Sequence, residues 1–393
     1  MSNHGAGYQN SATRYGPQFN LNGAGTQNYH VHTVPFAPPQ HAESLVPSSR
    51  PPASRDDFHV ALICALPLEY DAVVLQLDKI WDEDGKRYGR ARGDRNIYIT
   101  GRIVNHNVVV ALLPAIGKAA AAGRTASLRS SYPRLELALL VGICGGVPDQ
   151  GENGAALMGD VVISQAVLQF DFGRQFPTKF VPKDTVDDNM GRADGHVRSL
   201  IAIFETDYIR TRLRKQASDD LRSLQAKTTG REGVPDKYRY PGLENDKLFE
   251  ASYLHEHRAS SWCFKCRKNE YCERAAKKSC VELKCEEERL VDRKGQSRMT
   301  CGIYSPQIFM GRIGSGDTVM KSGVQRDQLA KEHDLVAFEM EGAGVWDELP
   351  CLIVKGICDY ADSHKDKKWQ PFAAATAACM MKAILGQYDV TDS

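Results

Sequence analysis

An α/β sandwich is the fold class this sequence predicts, and three observations predict it. Short apolar, β-rich runs alternate with helix-forming stretches along most of the chain. Of 393 residues, 42% are hydrophobic, enough for one large α/β core or two smaller ones. Several apolar runs end in glycine turns or acidic residues, the strand edge at which such sheets bind ligands.

Residues 1–55 are rich in Gly, Asn, Gln, Pro and Ser and nearly free of charge, so they are expected to be a disordered tail. Within them "YGPQFNLNGAGTQNYHVHT" has a composition that stacks as cross-β when chains meet, although a flexible leader is the plainer reading. Order is expected to begin at "FHVALICAL", a strand ending at Pro67, which opens the helix "PLEYDAVVLQLDKIW". "NIYITGRI" and "HNVVVALLPA" read as strands, "GKAAAAGRTASLRSSY" as a helix, and "LELALLVGICGG" as a buried strand running into a glycine turn. "MGDVVISQAVLQFDFG" adds a strand, and residues 195–227 read as one long amphipathic helical stretch. The pattern fails over 228–300, which is charged and cysteine-bearing and reads as an insertion. It resumes with the strand "PQIFMGRIGSGD", the helix "VQRDQLAKEHD", the strand "LVAFEM", the helix "GAGVWDEL", the strand "CLIVKGICD" and the helix "QPFAAATAACMMKAIL".

Lys plus Arg (50) balances Asp plus Glu (49), which argues against nucleic acid or an acidic membrane surface as partner and favours a small molecule. No apolar run nears the roughly 20 residues that span a bilayer, and no secretory signal opens the chain, so a cytoplasmic protein is expected. Cys64, Cys144, Cys351, Cys358 and Cys379 sit singly in apolar runs and read as reduced core residues.

Four polar spots fall just past strand ends: Glu69, the turn "GICGG", the pair Glu339 and Glu341, and Asp359. Each has a local reading as a helix-start acid, turn glycine or N-cap; their recurrence on one edge favours a site. Neither glutamate of "AFEMEGAG" has an evident cationic partner nearby in sequence, and a buried carboxylate without one is costly.

Six stretches in order, "ICALPLEYDAV", "LLPAIGKAAAA", "VGICGGVPDQG" with "GDVVIS", "GRIGSGD", "FEMEGAG" and "VKGICDYAD", carry a definite resemblance over about 58–385. The chain resembles the purine nucleoside phosphorylase/uridine phosphorylase superfamily, closest to methylthioadenosine/S-adenosylhomocysteine nucleosidase-type domains as found in fungal immune-receptor-like proteins. The resemblance implies a three-layer α/β/α fold with a mixed central sheet over 56–388, interrupted by the insertion, and cleavage of a nucleoside's N-glycosidic bond without a cofactor. It places the water-activating glutamate at Glu69, the ribose-holding glutamate at Glu341 with Met340 under the sugar and Glu339 before it, and the acid that protonates the purine at Asp359. The family's serine before that acid is Cys358 here. The glycine turn Ile143, Cys144 and Gly145, with Val319 and Met320, completes the implied substrate site.

Phosphorolytic relatives carry an arginine and a hydroxyl where this chain has Leu140 and Ile143, so hydrolysis is expected. Where adenine-specific relatives place a stacking aromatic, this chain has Val319 and Met320; an aliphatic lid, or stacking by Phe170, Phe172, Trp369 or Phe372, stays open. Arg174, Lys179 and Lys183 are candidates for 5'-phosphates should the substrate be a nucleotide, as in nucleotide-cleaving immune effectors. A non-catalytic sensor is the third reading, and three costly carboxylates speak against it. A homo-oligomer is expected, with self-association through the tail, and signalling would need a separate partner because no NTPase domain follows Ser393. In the insertion, Cys263, Cys266, Cys272, Cys280 and Cys285 follow His255 and His257. Their loose spacing favours a metal-free, surface-exposed segment over a zinc site.

Overall fold

The computed structural model describes residues 50–185, 188–229, 236–258, 262–293 and 296–390. Nearly all of the expected tail thus lies outside the described residues.

The ordered chain opens with β1 (Val60–Cys64), α1 (Pro67–Val74), β2 (Lys79–Ile80), β3 (Tyr98–Ile103), β4 (His106–Leu112), α2 (Lys118–Ser131) and β5 (Leu137–Gly146). It continues with β6 (Val161–Gln169), a hairpin of β7 (Gly173–Gln175) and β8 (Phe180–Pro182), then α3 (Gly195–Phe204) and α4 (Asp207–Thr228). Three four-residue helices follow, α5 (Phe264–Arg267), α6 (Glu273–Ala276) and α7 (Cys280–Leu283), and then a small hairpin of β9 (Met299–Thr300) and β10 (Ile303–Tyr304). The last segment contains β11 (Ile308–Ser315), α8 (Gly323–His333), β12 (Leu335–Glu339), α9 (Gly342–Trp346), β13 (Cys351–Asp359) and α10 (Gln370–Leu385).

Nine strands form one mixed sheet in the order β12-β11-β6-β13-β5-β1-β4-β3-β2. β1 lies parallel between β4 and β5, and β13 runs parallel to β5 but antiparallel to β6. Both β1 and β13 are buried along their whole length, which is why they read as unbroken apolar runs. The sheet also curls on itself: Ala337 and Phe338 of β12 pair antiparallel with Gly146 and Gly145 of β5. Helices α1, α4 and α10 pack together, with α10 against β13 and β5, while α2 packs on α9, which contacts β6 and β13. The result is the three-layer α/β/α sandwich with a mixed central sheet.

Three expectations need correction. Helix α1 stops at Val74 because the following chain is captured by the edge of β3: Asp78 and Trp81 donate to the carbonyls of Arg102 and Thr100. The stretch 195–227 is two helices, because Thr206 caps the N-terminus of α4, its hydroxyl accepting from Ile209 N–H. The insertion is neither structureless nor merely exposed, since Cys263, Cys266, Cys272, Ala275 and Leu283 form a small buried core of their own. The five core cysteines are buried and reduced, as expected. Among the described residues, no helix is long and apolar enough to cross a membrane.

The contact between β13 and α10 is set by Gly356, where an added Cβ would stand 2.0 Å from the Ala373 carbonyl oxygen. Backbone meets backbone there, so neither side can rotate away. Gly356→Ala is expected to destabilise the fold by about 3 kcal/mol, at the upper end of overpacking effects. Urea denaturation giving a loss under about 0.5 kcal/mol, within the range of neutral surface changes, would show that the helix shifts freely.

Candidate active site

Pro67 starts α1, and two residues later Glu69 turns back on the helix start, where its Oε2 accepts from the backbone N–H groups of Ala65 (2.9 Å) and Leu66 (2.8 Å). Its Oε1 accepts from Ile143 N–H of β5 at 2.8 Å. A side chain at Gly142 is ruled out by this contact, because its Cβ would lie 2.2 Å from Glu69 Oε1. The helix-start reading of Glu69 therefore holds, yet a carboxylate has about four acceptor positions and three backbone donors leave one for another partner.

Glu339 ends β12 and accepts from the backbone N–H groups of Glu341 (3.0 Å) and Gly342 (2.9 Å), so it caps the short helix α9. Ser315, from the end of β11, caps the next amide, that of Ala343, at 3.0 Å. Glu341 is differently placed. Among the described residues its carboxylate accepts only from Lys355 Nζ, at 3.3 Å, and the same ammonium lies 3.6 Å from Glu339 Oε2. Lys355 is the cationic partner that the sequence did not reveal. It sits in the middle of β13, has no exposed surface, and is 14 residues from Glu341 along the chain.

One ammonium thus faces three buried carboxylates. Burial alone would push the Lys355 pKa down, but Glu341, Glu339 and Glu69 together raise it. Burial, reinforced by the like charges of Glu339 and Glu69, pushes Glu341 up to about 7 in spite of Lys355. Among the described residues, Glu341 is the member of the three without a backbone donor.

Asp359 ends β13. Its Oδ1 accepts from Ala361 N–H at 2.8 Å and lies 3.1 Å from Lys365 Nζ, while Oδ2 is 3.3 Å from Cys358 Sγ. Burial opposes the Lys365 charge, but Asp359 and Cys358 beside it outweigh that and raise its pKa. Cys358, where the family's serine is expected, also reaches the Cys144 carbonyl at 3.4 Å, so its thiol bridges β13 and β5.

A single cavity brings these groups together. Glu69, Ile143, Cys144, Gly145, Val319, Met320, Glu339, Met340, Glu341 and Asp359 all line it, so every residue assigned from the sequence borders the same space. Cys358, at the position of the family's serine, lines it as well, as do Lys365, Phe338, Ile116, Thr318 and Gln370, which had not been assigned. Of the proposed stacking aromatics none borders the cavity. Phe170 packs edge-on behind Phe338, Phe172 is at the surface, and Trp369 and Phe372 pack with Tyr240. Phe338, hidden in the apolar run "LVAFEM", supplies the aromatic wall instead. The cations proposed for phosphates lie elsewhere too: Lys179 pairs with Glu332 (2.9 Å) and Lys183 with Asp188 (3.1 Å), and Arg174 is exposed on β7. Leu140 is fully buried in β5.

Residues 59–232 match the model of the Phosphorylase superfamily. A nucleotide-binding leucine-rich repeat (NLR)-like protein of Hyaloscypha variabilis is 31% identical over 342 residues, which make up 86% of this chain and 30% of that protein. The chain therefore spans less than a third of that relative's length. Among solved structures, a 5'-methylthioadenosine/S-adenosylhomocysteine nucleosidase from Neisseria meningitidis in complex with methylthio-immucillin-A is similar at 18% identity and a TM-score of 0.48, covering 84% of this chain and 99% of that one. Futalosine hydrolase of Helicobacter pylori is similar at 15% identity and a TM-score of 0.48, covering 85% and 100% respectively.

Removing the buried cation leaves its carboxylates unpaired. Lys355→Met is expected to cost about 3–5 kcal/mol of folding stability at pH 8, and the double variant Lys355→Met/Glu341→Gln to recover part of it. Equal chemical denaturation midpoints for the wild type and Lys355→Met would show that the ammonium is not what makes burial of these carboxylates tolerable.

Proposed function

From the match of residues 59–232 to the phosphorylase superfamily and from the site's geometry, we propose that the chain is a member of that superfamily whose cavity cleaves the N-glycosidic bond of a purine nucleoside or nucleotide, with water as the attacking group. The observation that carries the reading is the convergence of Glu69, Glu341 and Asp359, from three different elements, on one cavity whose lining cation, among the described residues, is Lys365 alone.

Breaking the bond between the ribose and a purine builds positive charge on the sugar and negative charge on the base. Asp359 protonates the departing base, and the Lys365 ammonium at 3.1 Å stabilises the carboxylate left behind. Glu341 accepts the two ribose hydroxyls, and its charge favours the cationic sugar, while Lys355 holds it in place from below. The acceptor position of Glu69 not taken by backbone orients and deprotonates water. Phe338, Ile116, Val319 and Met320 provide the apolar walls that a purine, with adenine preferred, packs against. Phosphate is disfavoured as nucleophile, since the wall near Glu69 presents Ile143 and an anion rather than a cation. The similarity to an NLR-like protein favours a second reading, a nucleotide-cleaving domain within a signalling protein. A panel of adenosine, its 5'-thioether, AMP and ATP separates the two by which releases free base.

The test of the reaction is product analysis in ¹⁸O-labelled water. Free purine and a sugar labelled at C1' are expected, at a rate that added phosphate does not raise. Asp359→Asn is expected to lose about 10²–10⁴-fold in turnover while remaining folded, the usual span of a general acid. Ribose-1-phosphate as the main product, or full base release by the folded variant, would overturn the assignment.

The pH dependence follows from Glu341. Its pKa is raised to about 7 from the ordinary 4.5, and only the ionised form accepts two hydroxyls. Riboside affinity is therefore expected to rise with pH through about 7, being roughly tenfold weaker at pH 6 than at pH 8. Folding responds in the opposite sense, because a carboxyl raised on folding favours the folded state at low pH and loses that contribution as pH climbs through about 7. Isothermal titration across this range with a non-cleavable riboside should show the slope in the wild type and its absence in Glu341→Gln. A slope that persists in the variant would assign the titration to another group.

A further inference from the structure

The segment between α4 and β9 contains three helices of four residues each, far below the length at which a helix holds itself in water. Its private core is mostly sulfur: Cys263, Cys266 and Cys272 are all under a tenth exposed, and among the described residues the cluster's other buried members are Ala275 and Leu283. So small an apolar cluster does not fix a fold without a cross-link.

Cys263 caps α5 and Cys266 follows one turn on, which turns both sulfurs to the same side, 3.3 Å apart. Cys272 Sγ lies 3.7 Å from Cys263 Sγ, and His257 Nδ1 lies 3.3 Å from Cys266 Sγ and 3.8 Å from Cys272 Sγ. All four donor atoms fall within 4.8 Å of one another. These separations are far longer than a disulfide's S–S bond of about 2.05 Å. They match the edges of a tetrahedron around Zn²⁺, about 3.8 Å between sulfurs and about 3.6 Å between sulfur and nitrogen for bonds of about 2.3 and 2.0 Å.

A second group lies beside the first. His255 Nδ1 is 3.6 Å from Cys285 Sγ and 3.7 Å from Cys280 Sγ, and its other ring nitrogen, Nε2, bonds the Lys278 carbonyl at 2.9 Å. That outer hydrogen bond leaves Nδ1 as the lone-pair nitrogen, the arrangement that orients a metal-ligating histidine. His364 joins His255 and Cys285 within the same 4.8 Å. It is buried, its ring stacks on Phe249 at 4.2 Å, and its Nε2 has no hydrogen-bond partner among the described residues. His364 does not belong to the insertion: it follows β13, next to Lys365, which pairs with Asp359.

We propose that this module binds two Zn²⁺ ions, one held by His257, Cys263, Cys266 and Cys272, the other by His255, Cys285 and His364. The second ion ties the module to the loop that carries Lys365. Three thiolates and an imidazole, or one thiolate and two imidazoles, are donor sets that select zinc over the hard cations. Each cysteine thiol loses its proton to solvent as its bond to the metal forms, so the module folds with its metal.

Elemental analysis of the full chain, purified under reducing conditions from zinc-supplemented cells and dialysed without metal, is expected to give two zinc ions per chain. Cys263→Ser/Cys266→Ser should hold one, and so should Cys285→Ser and His364→Ala. Fewer than one zinc in the wild type, or iron in its place, would overturn the proposal, and one zinc unaffected by Cys285→Ser and His364→Ala would overturn the second site. Should the variants fail to fold, the wild type decides: a mercurial that blocks thiols should release two zinc ions per chain to a chromogenic chelator. Amide exchange at 360–366 reads out the tether. It should quicken at least tenfold when the metal is withdrawn, and unchanged exchange would count against it.

Discussion

Everything at the cavity edge of the sheet depends on one buried ammonium. Lys355 rises from the centre of β13, where a strand with both faces covered ordinarily carries only apolar side chains, and meets carboxylates from α1, from the end of β12 and from the start of α9. Without it three like charges would have to share an interior from which water is excluded, and their repulsion would open the cleft or strip the charges by protonation. With it, two of the three can be fixed by backbone donors while the third remains free to meet a ligand. The division of labour between Glu339 and Glu341 comes from this arrangement. Two residues apart on the same strand end, one is consumed in capping a helix and the other is held over the cavity.

The strands were readable because burial on both faces writes a continuous apolar run into the sequence, as in "VALIC" and "CLIVKGICD". The acidic residues were readable because each stands at the end of such a run. Lys355 was not, since a lone lysine inside an apolar strand has no local pattern that names its partners, and these come from other elements. Phe338 stayed hidden for the opposite reason: an aromatic in an apolar strand is the least informative residue there, and only the curl of β12 onto β5 turns it toward the cavity. The early end of α1 is a case of tertiary pairing overriding propensity, the chain leaving the helix to run beside β3. The break at Thr206 was legible in principle, because Thr followed by Asp is a helix-start signal.

The insertion shows the limit of reading spacing alone. Its CxxC pair was visible, but each group of donors takes a histidine from upstream, and the second also takes His364 from beyond β13, so no regular ligand pattern exists along the chain. Proximity in space, rather than in sequence, is what assembles them.

The curl of the sheet has a further consequence. β12 would be an open margin, yet it is paired with β11 on one side and with β5 on the other, and the opposite margin ends in the two-residue β2. A sheet of nine strands ordinarily offers rows of unmatched amides and carbonyls on which foreign strands grow. This one hides one such row and keeps the other short. The nine-stranded sheet therefore offers a second chain little free backbone at its margins on which to add a strand.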